Sequence, residues 1–300
     1  MRLGVFMGLA GGEPETLRER LLRGTRVADE AGFHSLWFPE HVVLVDNPSE
    51  KYPYAEDGVL PVAAGAGMLE PFTAIAMAAA VTETIRLGTG ICILPQRSPI
   101  YTAKQVADCD VLSGGRLDFG VGIGWLREEF EALGADFDER GHACREYLAA
   151  MHSLWEQDVS HHDGRLLTIP PVHMQPKPLQ KPWPPIIFGG ESNNALRRVA
   201  DLGQGWFSFN RLPEEVPERL AALDSFVERR GRRPSEIEIS VSPYLKPAHD
   251  AAALEAYAAA GVDQVIYLAW GATADAMEES IRGLAELLPL AASLESARRR

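Results

Sequence analysis

Cysteine is scarce in this chain of 300 residues, and it never occurs in pairs. The three cysteines, Cys92, Cys109 and Cys144, lie far apart and form no CxxC motif. An odd, widely spaced set is not expected to build a disulfide framework or a cysteine-based zinc site. We therefore expect free thiols and a reducing, cytoplasmic environment.

Long apolar runs and basic charge are also lacking. No segment approaches the about 20 apolar residues of a membrane span, and the strand-like start, residues 1–7, is too short for a signal peptide. Lysine and arginine number 29 against 42 aspartate and glutamate, which gives a net charge of −13. Nucleic-acid-binding proteins generally carry a basic surface. Neither a membrane nor a nucleic acid is therefore expected as a partner.

Several catalytic motifs are missing as well. The first strand is followed by no GxGxxG, and the chain has no GxSxG elbow, no P-loop lysine and no HExxH. His161, His162 and His173 are possible metal ligands, but adjacent histidines on a hairpin point apart and no carboxylate cluster supports them. No metal site is expected. We expect the chemistry to belong to a bound organic cofactor.

What the chain does contain is a regular alternation of apolar strand-like runs and helical patterns. Eight strands separated by helices, without a break in composition, indicate a single α/β domain spanning residues 1–300, and about 250 residues suffice for a closed barrel. We expect a (β/α)8 TIM barrel; a doubly wound open sheet is the alternative. The predicted strands are residues 3–7, 34–39, 85–94, 117–121, 185–188, 205–209, 237–242 and 264–269. The predicted helices are residues 15–31, 72–81, 100–112, 139–155, 194–202, 214–230, 250–260 and 275–288.

Two segments exceed the minimal barrel. Residues 42–69 follow the second strand, have little periodicity and include Tyr54. In a barrel they would lie over the carboxyl-terminal mouth, where active sites are found, and long insertions are usually functional or mobile. Residues 160–182 follow the fourth strand and its helix. They contain a hairpin tip at 161–165 and prolines that prevent a helix.

Candidate chemical groups follow the second, third and fourth strands. His41 ends the second strand, where its ring can hydrogen-bond a cofactor or transfer a proton; an ordinary loop histidine is the alternative. Glu40 either orients His41 or is a solvated loop residue. Glycines cluster in residues 88–90 and alternate in 120–124. They leave room for a flat ring, or they permit close packing of strands. Trp125 is placed to wall a pocket.

A second candidate site lies in residues 181–196. A proline-rich approach leads to a short strand that ends in Gly189 and Gly190, and a helix follows at once. Ser192 or Asn193 can cap this helix, whose free N–H groups and dipole favour an anion. The segment is typical of the phosphate end of a cofactor site, although an ordinary strand-to-helix turn looks the same.

An ordered set of segments in the first 210 residues carries a family pattern. Taken together, they resemble the bacterial luciferase-like superfamily, which contains flavin monooxygenases and oxidoreductases dependent on the deazaflavin coenzyme F420. The run GWLREEF at 124–130 is most similar to the deazaflavin branch. The matching segments are AGFHSLW (31–37) before Glu40 and His41, LEPF (69–72), RLGTG (86–90), LSGGRL (112–117), GVGIGW (120–125) and QPKP (175–178) before PPI (184–186) and the glycines at 189 and 190.

The resemblance implies a tricyclic ring at the mouth of the barrel and assigns residues to it. His41 matches the ring-side histidine, and Gly90-Ile91 matches a position where relatives often have a non-proline cis peptide behind the ring. The cofactor-binding set it implies is Glu40, Gly90, Ile91, Gly122, Gly124, Gly189, Gly190 and Glu191, the last three meeting the phosphate through their backbone. Tyr54 and Trp125 are expected in the substrate pocket.

The chain also departs from its relatives. Trp125 stands where the sugar-phosphate dehydrogenase branch has a proton-donating glutamate, and Val45 stands where that branch has a tryptophan. That activity is therefore not expected. Ile93 replaces a polar residue that some relatives place near the ring.

The main hypothesis is an oxidoreductase that moves a hydride between reduced F420 and a small organic substrate. The first alternative is an FMN-dependent luciferase-like monooxygenase, because reduced FMN reacts with oxygen. The second is a barrel that binds a ligand without catalysis. The resemblance also implies a homodimer.

Overall fold

The computed structural model describes residues 1–11, 13–62 and 65–298. Its central feature is a closed ring of parallel strands in the order β3-β2-β1-β11-β10-β9-β8-β5, with a β3–β5 pairing that closes it. The short β4 extends the third barrel strand and also pairs with β5. The strands are β1 Arg2–Gly8, β2 Ser35–Phe38, β3 Arg86–Thr89, β4 Cys92–Ile93, β5 Leu117–Gly122, β6 Ser160–Asp163, β7 Thr168–Val172, β8 Ile186–Gly189, β9 Gly205–Phe209, β10 Glu238–Ser242 and β11 Gln264–Trp270.

Helices follow the barrel strands around the outside. They are α1 Pro14–Ala31, α2 Pro71–Ala79, α3 Pro99–Leu112, α4 Arg127–Ala132, α5 Arg140–Glu156, α6 Asn193–Leu202, α7 Val216–Glu228, α8 Ala251–Ala259, α9 Ala274–Ala285 and α10 Leu288–Ser293. Local sequence explains several starts, because Glu70, Ser192, Asp250 and Thr273 each accept a hydrogen bond from the backbone three residues on. In the part of the chain that the structure describes, no helix is both long and apolar enough to cross a membrane.

The predicted (β/α)8 barrel with its two insertions is confirmed. Most predicted boundaries agree within two residues, with three differences. The predicted third strand is interrupted after Thr89 and continues as β4, the predicted last helix is divided into α9 and α10, and the short α4 was not predicted. The segment 160–182 contains a hairpin, because β6 and β7 pair antiparallel outside the barrel. The predicted tip at 161–165 is wrong, because residues 161–163 belong to β6 and the turn is formed by residues 164–167.

The inside of the barrel is closed by large side chains. Five buried residues form a cluster of their own, separate from the main core, and each comes from a different strand: Phe6, Trp37, Ile187, Phe207 and Ile266. Neighbouring side chains on a strand point to opposite faces, so this set fills the interior while Leu36 and Phe38 pack toward the helices. The large open space of the barrel therefore lies at the carboxyl-terminal end of the strands.

Asp29 near the end of α1 joins that helix to the segment before β3. Its carboxylate accepts hydrogen bonds from the N–H groups of Glu83 (2.8 Å), Thr84 (3.1 Å) and Ile85 (2.8 Å) and from the Thr84 hydroxyl (2.7 Å). Burial acts to raise the pKa of Asp29, but these hydrogen bonds together hold it below its ordinary value.

Replacing Asp29 by asparagine should lower the free energy of unfolding by about 1–3 kcal/mol at pH 7, because charge-assisted hydrogen bonds are lost. A carboxyl group whose pKa is depressed by folding stabilises above its unfolded pKa, about 3.9, and loses that contribution as the pH falls through its folded pKa. The difference between wild type and D29N in urea unfolding should therefore shrink below about pH 4. Glu30→Gln, at an exposed neighbour, is the control; a loss that does not depend on pH would contradict this account.

Candidate active site

A cavity of about 1100 Å³ opens at the carboxyl-terminal end of the barrel. Small-molecule sites usually have volumes of about 300–1,000 Å³, so this one can hold a cofactor and a small substrate together. Every residue that the sequence singled out as a site residue lines it: Glu40, His41, Tyr54, Gly90, Ile91, Gly122, Gly124, Trp125, Gly189, Gly190 and Glu191. Residues up to 151 positions apart in sequence are thus brought together, and their individual roles remain predictions.

His41 is held in place by a carboxylate that the sequence reasoning missed. Its Nδ1 lies 2.9 Å from Oε2 of Glu129, a buried residue of α4. The other oxygen of Glu129 accepts hydrogen bonds from the N–H groups of Val42 (2.7 Å) and Val43 (3.4 Å). Because a carboxylate oxygen only accepts, Nδ1 carries a proton in this pair, and Nε2 is the ring nitrogen left for the cavity.

Both expectations for Glu40 are wrong, because it neither orients His41 nor is solvated. The Glu40 carboxylate is buried and accepts hydrogen bonds from the N–H of Ile93 (2.5 Å) and from Nε of Arg97 (2.7 Å). Arg97 also binds Glu70. Burial raises the pKa of Glu40, and the Arg97 guanidinium opposes that shift. Glu40 therefore anchors β4 beneath the cavity, because it holds both the strand's backbone and the arginine that follows it.

The glycine clusters have a packing reason. The Gly90–Ile91 peptide bond is cis, as the resemblance implied. A Cβ atom on Gly122 or Gly189 would lie 2.3 Å from Cδ1 of Ile91, and one on Gly120 would lie 1.8 Å from the carbonyl oxygen of Thr89. The space beside these glycines is therefore filled by Thr89 and Ile91, where the third strand is interrupted between β3 and β4. A flat ring cannot lie there. The cavity begins above Ile91.

The predicted phosphate end has the expected local geometry. Ser192, and not Asn193, caps α6, since its Oγ accepts from the N–H of Ala195 at 3.1 Å. Gly190 has φ +103°, a backbone conformation that favours glycine. The Glu191 carboxylate is occupied by the N–H of Phe209 (2.9 Å) and Nε of Arg211 (2.7 Å). The side chain of Glu191 is therefore not free for a ligand, and the predicted contact of its backbone with a phosphate stays a prediction.

An aromatic wall extends from His41 across the cavity. Ring centroids are 6.1 Å apart for His41–Trp125, 5.4 Å for Trp125–Tyr52, 5.5 Å for Tyr52–Tyr54, 5.1 Å for Tyr54–Phe209 and 4.4 Å for Phe209–Tyr244. We define the aromatic wall as these six residues. Tyr54 and Trp125 were predicted at the pocket. The other rings were missed because they come from the insertion, from the last residue of β9 and from the loop after β10, which only the closed barrel brings together.

The insertion 42–69 is fastened to the opposite side of the mouth. The carbonyl oxygen of Tyr54 accepts a hydrogen bond from Nδ2 of Asn210 at 2.7 Å, and Oδ1 of Asn210 accepts from the N–H of Leu245 at 3.1 Å. Three loops are joined by this one side chain. Burial also raises the pKa of Tyr52 and of Tyr54, so both phenols stay neutral donors at physiological pH.

The possible metal ligands of the sequence analysis do not come together in a cluster. Within residues 1–11, 13–62 and 65–298, no group of three or more histidine, cysteine, aspartate or glutamate side chains is arranged to hold a metal ion. His173 instead lies with Nδ1 2.7 Å from the carbonyl oxygen of Asp158.

Comparison with known proteins places the chain in a family. The family model described as luciferase-like monooxygenase matches residues 1–295. The uncharacterised protein Rv0953c of Mycobacterium tuberculosis is 30% identical over 220 residues, which cover 73% of this chain and 78% of that protein.

Solved structures share the fold at low identity. The monooxygenase RslO1 of Streptomyces bottropensis has a TM-score of 0.73 and 23% identity, with 97% of this chain and 99% of that chain covered. The F420-dependent tetrahydromethanopterin reductase of Methanopyrus kandleri has a TM-score of 0.73 and 17% identity, with 96% and 99% covered. The structural neighbours include both F420-dependent enzymes and a monooxygenase in complex with FMN. On the family match along nearly its whole length, this chain belongs to the luciferase-like monooxygenase family of oxidoreductases.

Proposed function

We propose that the protein is an F420-dependent oxidoreductase that transfers a hydride between reduced F420 and a small organic substrate. The observation that carries the proposal is the convergence of all the predicted site residues on one cavity at the barrel mouth. Bound there, the reduced deazaflavin supplies the hydride. The protein's part is to bind, to orient and to exclude water.

The residues of the cavity suit a planar, phosphorylated cofactor. Ile91 provides an apolar floor, and Nε2 of His41 offers a polar contact at its edge, held by Glu129. Gly190 and the start of α6 provide the anion-binding end. The residues fit such a group at both ends, and the two ends open into the same cavity.

The substrate side of the cavity is the aromatic wall. Its six rings, two of which are the neutral phenols of Tyr52 and Tyr54, favour a small, largely apolar or planar molecule over a charged one. Trp125 stands where related dehydrogenases have an acidic proton donor, and its indole ring cannot donate a proton as an acid. His41 is the histidine of this wall, next to Trp125.

Two observations favour F420 over FMN. The segment 124–130, which is most similar to the deazaflavin branch, is the segment that supplies Glu129 to His41. The chain also covers almost all of the F420-dependent reductase, and 66% of the FMN-bound monooxygenase. FMN-dependent monooxygenation is the second candidate, since RslO1, which this chain matches over almost its full length, is a monooxygenase.

Titration of the purified protein with each cofactor, followed by fluorescence, distinguishes these activities. We expect micromolar binding of F420 and binding of FMN that is at least about tenfold weaker. The reverse order of affinities would favour monooxygenation. Binding of neither cofactor would leave only the non-catalytic ligand-binding barrel.

Replacing His41 by alanine should remove the polar contact at the edge of the ring. A hydrogen bond in a cofactor site contributes about 0.5–1.5 kcal/mol, so F420 affinity should fall about two- to tenfold. The free energy of unfolding should also fall, by about 1–3 kcal/mol, because the buried Glu129 carboxylate loses a hydrogen-bond partner. Val42→Ala, an exposed neighbour, is the control. An unchanged affinity for F420 in folded H41A would count against a role at the ring.

Replacing Glu129 by glutamine should change the tautomer of His41. The amide oxygen can still accept from Val42 N–H, and the amide NH2 then faces Nδ1, so the proton moves to Nε2. ¹⁵N spectra of histidine-labelled protein, with the resonance identified by its loss in H41N, should show Nδ1–H in wild type and Nε2–H in E129Q. Glu128→Gln, in the same helical turn, should leave the tautomer as it is. An unchanged tautomer in E129Q would refute the positioning role.

A further inference from the structure

Arg198 on α6 is a buried cation without a carboxylate. The residue is 6% exposed, and its Nε has no hydrogen-bond partner. No hydrogen bond or salt bridge joins its guanidinium to any residue in the described ranges 1–11, 13–62 and 65–298. The charged groups that act on it are cations, Arg140 and Arg145, besides the thiol of Cys144. Burial raises the pKa of Cys144 to about 12, so that thiol is neutral and gives no compensation.

Arg198 lines the same cavity as the start of its own helix. Gly190, Ser192 and Ala195 line it too. Side chains on a helix lean toward its amino terminus. The Arg198 side chain therefore extends toward the end of α6 where the first backbone N–H groups have no partner within the helix. The helix has ten residues, and its dipole adds positive potential there.

The carboxylates that line the cavity are all engaged elsewhere. Glu40 binds Arg97, Glu191 binds Arg211, Glu215 accepts from the N–H of Leu212, and Glu56 lies 4.0 Å from Lys246. The other cations of the cavity are thus paired and Arg198 is not. Removing an unpaired charge from water is costly, and a bound anion offsets that cost.

We infer that Arg198 is the side chain that binds a phosphoryl group at the amino terminus of α6, completing an anion site with Gly190 and the first turn of the helix. This deepens the proposed function, and rests on it only for the identity of the molecule that carries the phosphoryl group. A planar guanidinium suits a phosphate because it can donate two parallel hydrogen bonds.

The first test uses inorganic phosphate, which needs no cofactor. Calorimetric or thermal-unfolding titration at constant ionic strength should give binding to wild type that is weakened about 10- to 100-fold in R198M. The matched control is R197M, which removes an arginine from the same helix. Arg197 is exposed, bonded to Asn194 at 2.8 Å and stacked on Phe226, and its loss should change the affinity less than about twofold. The control also corrects for the general stabilisation of proteins by phosphate.

Stability without an anion separates a binding role from a structural one. In phosphate-free chloride buffer, R198M should unfold at the same temperature as wild type or higher, because an unpaired buried charge has been removed. A merely structural arginine would give the opposite result. If R198M does not fold, R198Q, which is polar but uncharged, is used in its place. If wild type does not bind phosphate, the inference is overturned without any variant.

The second test distinguishes a cofactor phosphate from free phosphate. FMN and riboflavin differ only in the phosphoryl group. The factor by which FMN binds more tightly than riboflavin should fall about 10- to 100-fold in R198M, mainly because FMN binds more weakly. F420 should lose affinity by a similar factor. If wild type binds phosphate through Arg198 but neither cofactor, the proposed function fails and the anion site stands. If the cofactors bind R198M as tightly as wild type, the anion site fails and the proposed function stands.

Discussion

The structure depends on the pairing of β3 with β5, which closes a parallel sheet into a barrel. Only two residue pairs make this contact, Leu87 with Leu117 and Gly88 with Asp118. Since every strand of the ring runs in the same direction, closure places all their carboxyl ends around one opening. β4 adds two further residue pairs with β5, and the loops after β2, β5, β8 and β9 then surround one cavity.

The short β3–β5 pairing shapes the mouth of the barrel. Beyond Thr89 the third strand leaves its partner and rejoins it as β4, and in between it presses Ile91 and the Thr89 carbonyl against β5 and β8. Only glycine fits at position 120, where a Cβ atom would meet the carbonyl oxygen of Thr89, whereas a side chain at position 122 or 189 would require Ile91 to move. The glycines at the ends of β5 and β8 thus leave the space that the interrupted third strand occupies. Together these segments form the floor of the cavity.

Charge is distributed unevenly over this cavity. Three buried or half-buried carboxylates serve the framework: Glu40 holds Arg97 and β4, Glu129 holds His41, and Glu191 holds Arg211. Arg198 alone among the cavity's cations in the described part of the chain is left without an anion. A protein of net charge −13 therefore keeps a local positive site at the start of α6, which attracts a phosphoryl group against the overall charge.

The comparison of sequence with structure separates local from distant effects. Periodicity and end signals such as Gly32 after α1 or Ser192 before α6 predicted the order of elements, because these act within a few residues of the chain. The eight-fold alternation then predicted the barrel, and the barrel predicted that strand ends such as His41, Gly124 and Gly190 share one mouth. The family pattern added the cis peptide at Gly90–Ile91.

The sequence by itself thus determined the architecture and the outline of the candidate site. Only the tertiary structure decided which side chains are partners there: that His41 is held by Glu129 and not by its neighbour Glu40, that Ile91 fills the face which the glycines leave bare, that Tyr244 joins the aromatic wall, and that Arg198 is buried without a carboxylate. The contacts of His41, Ile91 and Tyr244 join residues between 31 and 98 positions apart. A sequence pattern does not reveal which of such distant residues are close in space. Packing and charge compensation in the closed barrel fix these contacts, and both depend on where every strand lies.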